Sequence, residues 1–141
     1  VITTSNFSAR RTRMAQNNVE DQFNYANEKA GELAVKAKEI SKKNVLIAGS
    51  LPAQNHTYVP DKREKKVIEK GFHEQATLLK TFVDFFYLDV FSSGREIEIA
   101  LNVTRKLNKS VLVGIHIKKN GKLPSGETIT QVVQKYKHDS W

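Results

Sequence analysis

The hydrophobic pattern alternates between short continuous apolar runs and longer segments with a single apolar face. Continuous runs of this length are typical of strands buried on both sides, and they cover 1–4, 45–49, 84–90 and 111–117. Between the runs, apolar residues recur at steps of three and four, which predicts amphipathic helices. The resulting order, βαβαβαβα, predicts a parallel sheet covered by helices.

Four residue pairs have the spacing of a helix N-terminal capping box or resemble one. They are Asn17 with Glu20, Asp61 with Glu64, Ser93 with Glu96, and Thr128 with Gln131. The first helix should then turn a long apolar face inward, made of Val19, Phe23, Ala26, Ala30, Leu33, Ala34, Ala37 and Ile40. The segment before it, 5–16, is polar.

Two architectures fit four such units: an open doubly wound sheet, or half of a (β/α)8 barrel. A complete barrel needs roughly 200 residues or more, and the chain has 141. In both architectures the chemistry lies where the strands end. The segments at that rim are 3–7, 49–52, 88–91 and 114–117.

The charge balance is basic, with 23 Lys and Arg against 15 Asp and Glu and a net charge of +8. Nucleic-acid binding would favour a basic patch interleaved with exposed aromatics. Here the aromatic residues fall mostly in predicted core strands, and the one tight cluster of cations is Arg10-Arg11-Thr12-Arg13. A solvated Lys-rich surface is therefore favoured over nucleic acid. A non-catalytic basic α/β module that binds an anionic partner is the alternative function.

Several sequence features exclude whole classes of site. The chain has no cysteine, so it can form no disulfide, Cys-ligated zinc or thiol nucleophile. GxGxxG, GxxxxGK[ST], GxSxG and HExxH do not occur, and no two of the four histidines, His138 included, are spaced i, i+4.

The same sequence predicts a location. No apolar run approaches the ~20 residues of a membrane helix, and no leader is visible, so a cytoplasmic protein is predicted. The opening on Val1, in an apolar run, suggests that further sequence precedes it.

Two rim residues are candidates for chemistry. Asp89 follows a mostly apolar strand, where a carboxylate is costly unless something pairs with it. Its partner could be a ligand amino group or backbone N–H groups, and the residues alone slightly favour the backbone. His116 could contact a ligand or act as a base, although a single strand histidine is more often structural.

The rim segments resemble the homocysteine S-methyltransferase family. Residues 2–7 are similar to its I-T-T-N-T-F, residues 48–52 to A-G-S-[IL]-[GP]-P, residues 58–61 to Y-x-P-D, and residues 84–89 to D-x-[LF]-x-x-E-T. These motifs keep their order and spacing over nearly the whole chain.

The resemblance implies a zinc-dependent (β/α)8 TIM barrel, of which residues 1–141 would be a single partial homocysteine-binding domain of four βα units, roughly units two to five. The implied reaction transfers a methyl group to the homocysteine thiol and yields methionine. Zinc lowers the thiol pKa in such enzymes. The family's zinc cysteines belong to strands six and eight, so the isolated chain should bind no zinc through cysteine and should be inactive. The sequence does not choose the methyl donor.

The resemblance also implies a homocysteine-binding rim, with no catalytic or metal-ligating residue in this chain. The substrate-binding residues would be Thr4, Ser5, Asn6, Ser50, Tyr58, Asp89 and His116. Asp89 stands where the family has a Glu that binds the substrate amino group, and it is one methylene shorter. His116 stands where many members have Trp or Ser. Because a half barrel exposes its terminal strands, we also expect self-association.

Overall fold

The computed structural model describes residues 1–136, in which four parallel strands form one sheet in the order β1-β2-β3-β4. The strands are β1 (Ile2–Thr3), β2 (Ile47–Pro52), β3 (Phe85–Phe91) and β4 (Val111–Ile115). Every neighbouring pair is parallel, as the alternating pattern predicted. Residues 137–141, which include His138, lie outside the described part.

One or two helices follow each strand, and they pack on one side of the sheet. They are α1 (Arg11–Ala15), α2 (Phe23–Ser41), α3 (Lys65–Leu79), α4 (Gly94–Arg105) and α5 (Ile129–Tyr136). None of the helices within residues 1–136 combines the length and the apolar character needed to cross a membrane.

The short helix α1 was not predicted, because its segment is polar. Contacts with distant residues stabilise it instead. The Arg11 guanidinium lies over the Phe23 ring at 4.2 Å, and the Thr12 hydroxyl donates to the Gln54 carbonyl at 2.6 Å. Met14 is buried. The spacing of apolar residues within the segment cannot predict such long-range contacts.

Two of the four predicted capping boxes are confirmed. Ser93 Oγ accepts from the Glu96 backbone N–H and donates to Glu96 Oε2 at 2.6 Å. In the second box, Thr128 N donates to Gln131 Oε1 at 2.8 Å, and Gln131 N donates to Thr128 Oγ1 at 3.2 Å. Each box satisfies amide groups that the first turn of a helix leaves without a partner.

The other two predicted boxes are wrong. After a 3-10 turn (Glu20–Gln22), α2 begins at Phe23, and the Asn17 side chain donates to the Arg13 carbonyl. The helix α3 begins at Lys65 with no side-chain cap. Asp61 binds the Arg63 guanidinium at 2.6 Å, so its carboxylate serves an ion pair instead.

The buried face of α2 differs from the predicted one. Phe23, Ala30 and Ala34 are buried as expected, whereas Leu33 is 50% and Ile40 70% exposed. Their places are taken by Asn27 and Gly31, which are buried. Gly31 allows the closest approach, since a Cβ there would lie 2.6 Å from Phe82 Cγ. A polar residue and a glycine thus form the middle of the buried face, which a search for apolar residues cannot find.

The main core lies between the sheet and helices α3 and α4. Its largest members are fully buried, and the Phe72 and Phe91 rings stack with centroids 5.5 Å apart. The opposite face of the sheet, called the inner face below, carries the register neighbours Ser50, Tyr87 and Leu112.

A β-bulge interrupts β3 at its carboxyl end. Leu88 pairs with Val113, but the next pair is Phe91 with Ile115, so β3 has one residue more than β4 over this stretch. Val90 holds the extra position at φ 60°, which is rare for a β-branched residue. Because side chains alternate along a strand, the extra residue keeps Asp89 beside Tyr87 on the inner face and returns Phe91 to the core.

Candidate functional site

Buried polar groups join the ends of β1 and β2. Thr4 Oγ1 donates to Asn6 Oδ1 at 2.6 Å and accepts from the Ser50 amide at 2.9 Å. Asn6 Nδ2 donates to the Ser50 carbonyl and to Asn27 Oδ1, both at 3.0 Å. Two of the predicted site residues, Thr4 and Asn6, are therefore engaged in holding the rim together and are almost fully buried.

The same network reaches back into helices α2 and α3. Asn27 Nδ2 donates to the carbonyls of Ala9 and Phe23, at 2.8 and 2.9 Å. Gln75 Nε2 donates to Asn27 Oδ1 at 3.0 Å, and Gln54 donates to Gln75. Asn27 and Gln75 are fully buried, and sequence reasoning missed both. Each of them is a polar residue placed at helical spacing among the apolar residues of the buried face, and this pattern could have identified it.

Asp89 lies half-buried on the inner face, in register with Pro52 of β2. Ser50 Oγ donates to Asp89 Oδ2 at 3.4 Å. Within residues 1–136, the hydrogen bond that the structure gives this carboxylate comes from a side-chain hydroxyl and not from a backbone amide. The second neighbouring hydroxyl is that of Tyr87. Burial raises the pKa of Tyr87, and the charge of Asp89 and a hydrogen bond to it raise it further.

Tyr58 and His116 meet at the same rim. Their ring centroids are 4.7 Å apart with the planes inclined by 58°. The His116 amide donates to the Phe91 carbonyl at 2.9 Å, which fixes this residue beside β3. Tyr58 is 57% exposed and has a φ of 68°, so its loop presents the ring to the outside.

Ser5 is the predicted site residue that the structure does not bring to this group. It is exposed and borders a separate hollow with Ser8, Arg13 and Asn17. The candidate site therefore comprises two pairs at the strand ends, Ser50 with Asp89 and Tyr58 with His116, and Thr4 and Asn6 fix Ser50 from behind. A hydroxyl, a carboxylate and two rings of this kind can bind an ammonium group and cover an apolar chain.

The basic cluster of the polar segment is largely occupied by contacts within the chain. Arg10 is buried and donates to the Ala53 carbonyl at 2.7 Å and to Thr57 Oγ1 at 3.1 Å. Burial lowers its pKa. Arg11 forms an ion pair with Glu74. Of the three arginines, Arg13 alone is exposed, which does not favour this cluster as a site for an anionic partner.

The described residues do not fit a metal site. Within residues 1–136, no three His, Cys, Asp or Glu side chains come close enough to hold a metal ion. His116 lies against Tyr58, and Asp89 against hydroxyl groups. The zinc that the family resemblance implies would therefore need ligands from outside this region.

Comparisons with known proteins agree with this fold. A family model described as homocysteine S-methyltransferase matches residues 1–140. The metallated form of the homocysteine methyltransferase MmuM from Escherichia coli superposes with a TM-score of 0.82 at 19% identity, covering 96% of this chain and 52% of the other. Its apo form gives 0.68 at 21% identity, with 96% and 50% covered.

At such identities the two structures show a shared fold. The chain spans about half the length of either one. No curated protein sequence gives a significant match.

Proposed function

The chain belongs to the homocysteine S-methyltransferase family, and we propose that its rim binds the amino-acid portion of homocysteine while a methyl group is transferred to the thiol. In this proposal β1 to β4 are the second to fifth strands of the barrel, and residues 1–141 form one partial domain. The observation that carries the proposal is the Asp89 carboxylate, half-buried beside hydroxyl groups at the ends of parallel strands.

Asp89 would bind the substrate ammonium group. The carboxylate oxygens of Asp89 have more lone pairs than its hydroxyl neighbours use, and an ammonium group offers three N–H donors for them. Ser50 orients the carboxylate, and its own backbone is fixed by Thr4 and Asn6. The binding group is thus preorganised, which reduces the entropy lost when substrate binds.

Tyr58 and His116 would form the wall beside this carboxylate. Their rings are in contact, and Tyr58 comes from the loop between β2 and α3. The homocysteine side chain is a short apolar chain that ends in sulfur, and aromatic edges make favourable contacts with sulfur. The two rings suit that chain better than they suit a second charge.

The reaction itself forms one bond and breaks another. The sulfur of homocysteine forms a bond to the methyl carbon, the bond from that carbon to the donor breaks with its electron pair, and the thiol loses its proton. In the family reaction zinc would favour the thiolate. The described residues supply only substrate binding in this scheme, so we expect no turnover by this chain alone.

The proposal is tested by titrating L-homocysteine into the chain and its Asp89→Ala variant. We expect the affinity to fall at least tenfold in the variant, since a charge-assisted hydrogen bond is lost. Asp21→Ala is the matched control, because Asp21 is an exposed aspartate on a different part of the chain. Equal affinity of Asp89→Ala and the control would remove Asp89 from the site.

Turnover is tested separately by measuring methionine formation from homocysteine and S-methylmethionine in the presence of zinc. No methionine is expected from this chain alone. Robust zinc-dependent formation would contradict the assignment of the metal ligands to other parts of the barrel.

A further inference from the structure

Tyr87 is a neighbour of Ser50 and Asp89 on the inner face, and the proposed function gives it no role. It is two residues before Asp89 on the same face of β3, and it is the register neighbour of Ser50. Its side chain is half-buried. The two side chains share the inner face, and the charge of Asp89 acts on the Tyr87 phenol.

Gly114 of β4 provides the space for the Tyr87 hydroxyl. A Cβ at Gly114 would lie 2.6 Å from Tyr87 Oη and 2.9 Å from Cε2, which is closer than real Cβ atoms come. Gly114 does not have a positive φ, so backbone strain does not require glycine here. Glycine is required here by the lack of space, because any larger residue would displace the phenol.

The chemistry of the pair defines which group donates. The pKa of Tyr87 is raised, first by burial and then by the charge of Asp89, so the phenol keeps its proton at neutral pH. A protonated phenol beside a carboxylate is a hydrogen-bond donor. Together with Ser50 it gives Asp89 two hydroxyl neighbours, one on β2 and one on β3 itself.

We propose that Tyr87 is a positioning residue, whose hydroxyl, seated against Gly114, holds the Asp89 carboxylate in the orientation that receives the substrate ammonium group. The effect that we expect Tyr87 to have on homocysteine binding rests on the proposed function. The contact between Tyr87 and Asp89 can be tested without substrate. The alternative is that the tyrosine ring only fills space on the inner face, in which case the hydroxyl would be dispensable.

The first experiment measures the contact directly. With all tyrosines replaced by 3-fluorotyrosine, whose phenol titrates at lower pH than tyrosine, the signal of residue 87 is assigned by its loss in Tyr87→Phe. Asp89→Asn removes the negative charge, so we expect the residue 87 phenol to titrate at lower pH than in the parent chain. Asp21→Asn is the control and should leave it unchanged. An unchanged titration in Asp89→Asn would overturn the inference.

The second experiment measures binding of L-homocysteine. Tyr87→Phe keeps the ring and removes only the hydroxyl, and we expect an affinity about tenfold lower. Tyr25→Phe is the matched control, because Tyr25 is exposed on α2. If Asp89→Ala weakens binding and Tyr87→Phe does not, the inference fails and the proposed function stands. If Asp89→Ala has no effect, the proposed function fails, and the fluorotyrosine titration still decides whether Tyr87 holds Asp89.

A double-mutant cycle separates positioning from packing. Gly114→Ala should displace the hydroxyl and weaken homocysteine binding about as much as Tyr87→Phe does. If both act through the same hydroxyl, the double variant should bind no more weakly than Gly114→Ala alone. Additive losses would show that the glycine acts independently, and would overturn the paired role.

Discussion

The β2 side and the β4 side of the same sheet differ sharply in how their residues are covered. Every residue of β2 is buried, and the polar groups beyond it are linked into a network that includes Asn27 and Gln75. Every residue of β4 is half-exposed or exposed, and Leu112 on its inner face is 57% exposed. Beside it an apolar groove runs between β4 and α5, lined among others by Val113 and Val133.

The difference has a simple cause in the sheet order. The strands β2 and β3 each have two strand neighbours and are covered by α3 and α4, whereas β4 has one neighbour among the described residues. This difference matters for the candidate site, because its residues come from both the β2 side and the β4 side of the sheet. Ser50 is held rigidly from behind, while His116 extends from a strand with one open edge.

The largest effect should come from breaking the network behind β2. Asn27→Ala would leave the Asn6 amide and the Ala9 carbonyl without this partner in a buried place, and we expect a loss of about 3 kcal/mol in the free energy of unfolding. Denaturant unfolding measures it. Asn24→Ala, at an exposed position of the same helix, is the control. A loss below about 1 kcal/mol would mean that the network contributes little to the rigidity of this side.

A smaller, pH-dependent effect should come from Glu96 at the start of α4. Burial raises the pKa of this carboxyl above its ordinary value, so its ionisation weakens folding as pH rises through the interval between the unfolded and folded pKa values. Glu96→Gln can keep the capping box and should stabilise the chain at pH 7 by on the order of 1 kcal/mol.

That gain should shrink as the pH falls from the raised pKa of folded Glu96 towards the ordinary value of 4.5, and it should be absent below 4.5, because Glu96 is then protonated in the folded and the unfolded chain. Melting temperatures at pH 7 and pH 4 measure it. Glu98→Gln serves as the control of opposite sign, since a hydrogen bond from Lys135 lowers the pKa of Glu98. Equal melting shifts of the two variants at pH 7 would contradict the proposed cost of burying Glu96.

Substitutions on the β4 side of the sheet should have the smallest effect on folding and the clearest effect on assembly. We predict that the chain self-associates through β4 and α5, and that Leu112→Lys with Val133→Lys lowers the association constant at least tenfold. Because both residues are more than half exposed, stability should change by less than about 0.5 kcal/mol.

Sedimentation equilibrium measures the association. Val67→Lys, an exposed apolar position on the central helix α3, is the control. A parent chain that is monomeric at all concentrations would refute the prediction.

The order of elements could be predicted from the sequence because each strand is a continuous apolar run and each long helix has a periodic face. The boundaries were weaker where long-range contacts decide them. Asn17 and Asp61 have good capping chemistry, but a 3-10 turn and an ion pair use their side chains. Helix α1 exists because Arg11 and Thr12 contact residues far along the chain.

The contact between Ser50 and Asp89 in the candidate site was predictable, because each of these polar residues follows an apolar run. Those two neighbours follow from the rule that parallel strands present their carboxyl ends together. Tyr87 was missed because an aromatic residue inside a strand predicts core, and only the register reveals that it lies opposite Ser50 on the inner face. Asn27 was missed because it occupies a helical position where only apolar residues were sought.

The bulge at Val90 has a consequence for sequence alignment. Three residue steps on β3 match two on β4, so a relative with an unbroken strand would be one residue shorter here. An ungapped alignment would then set Phe91, a core residue, against a position beyond the strand's end. A single gap placed between Asp89 and Phe91 therefore has a physical meaning, and aligning relatives by that gap would sort them by how the strands equivalent to β3 and β4 pair.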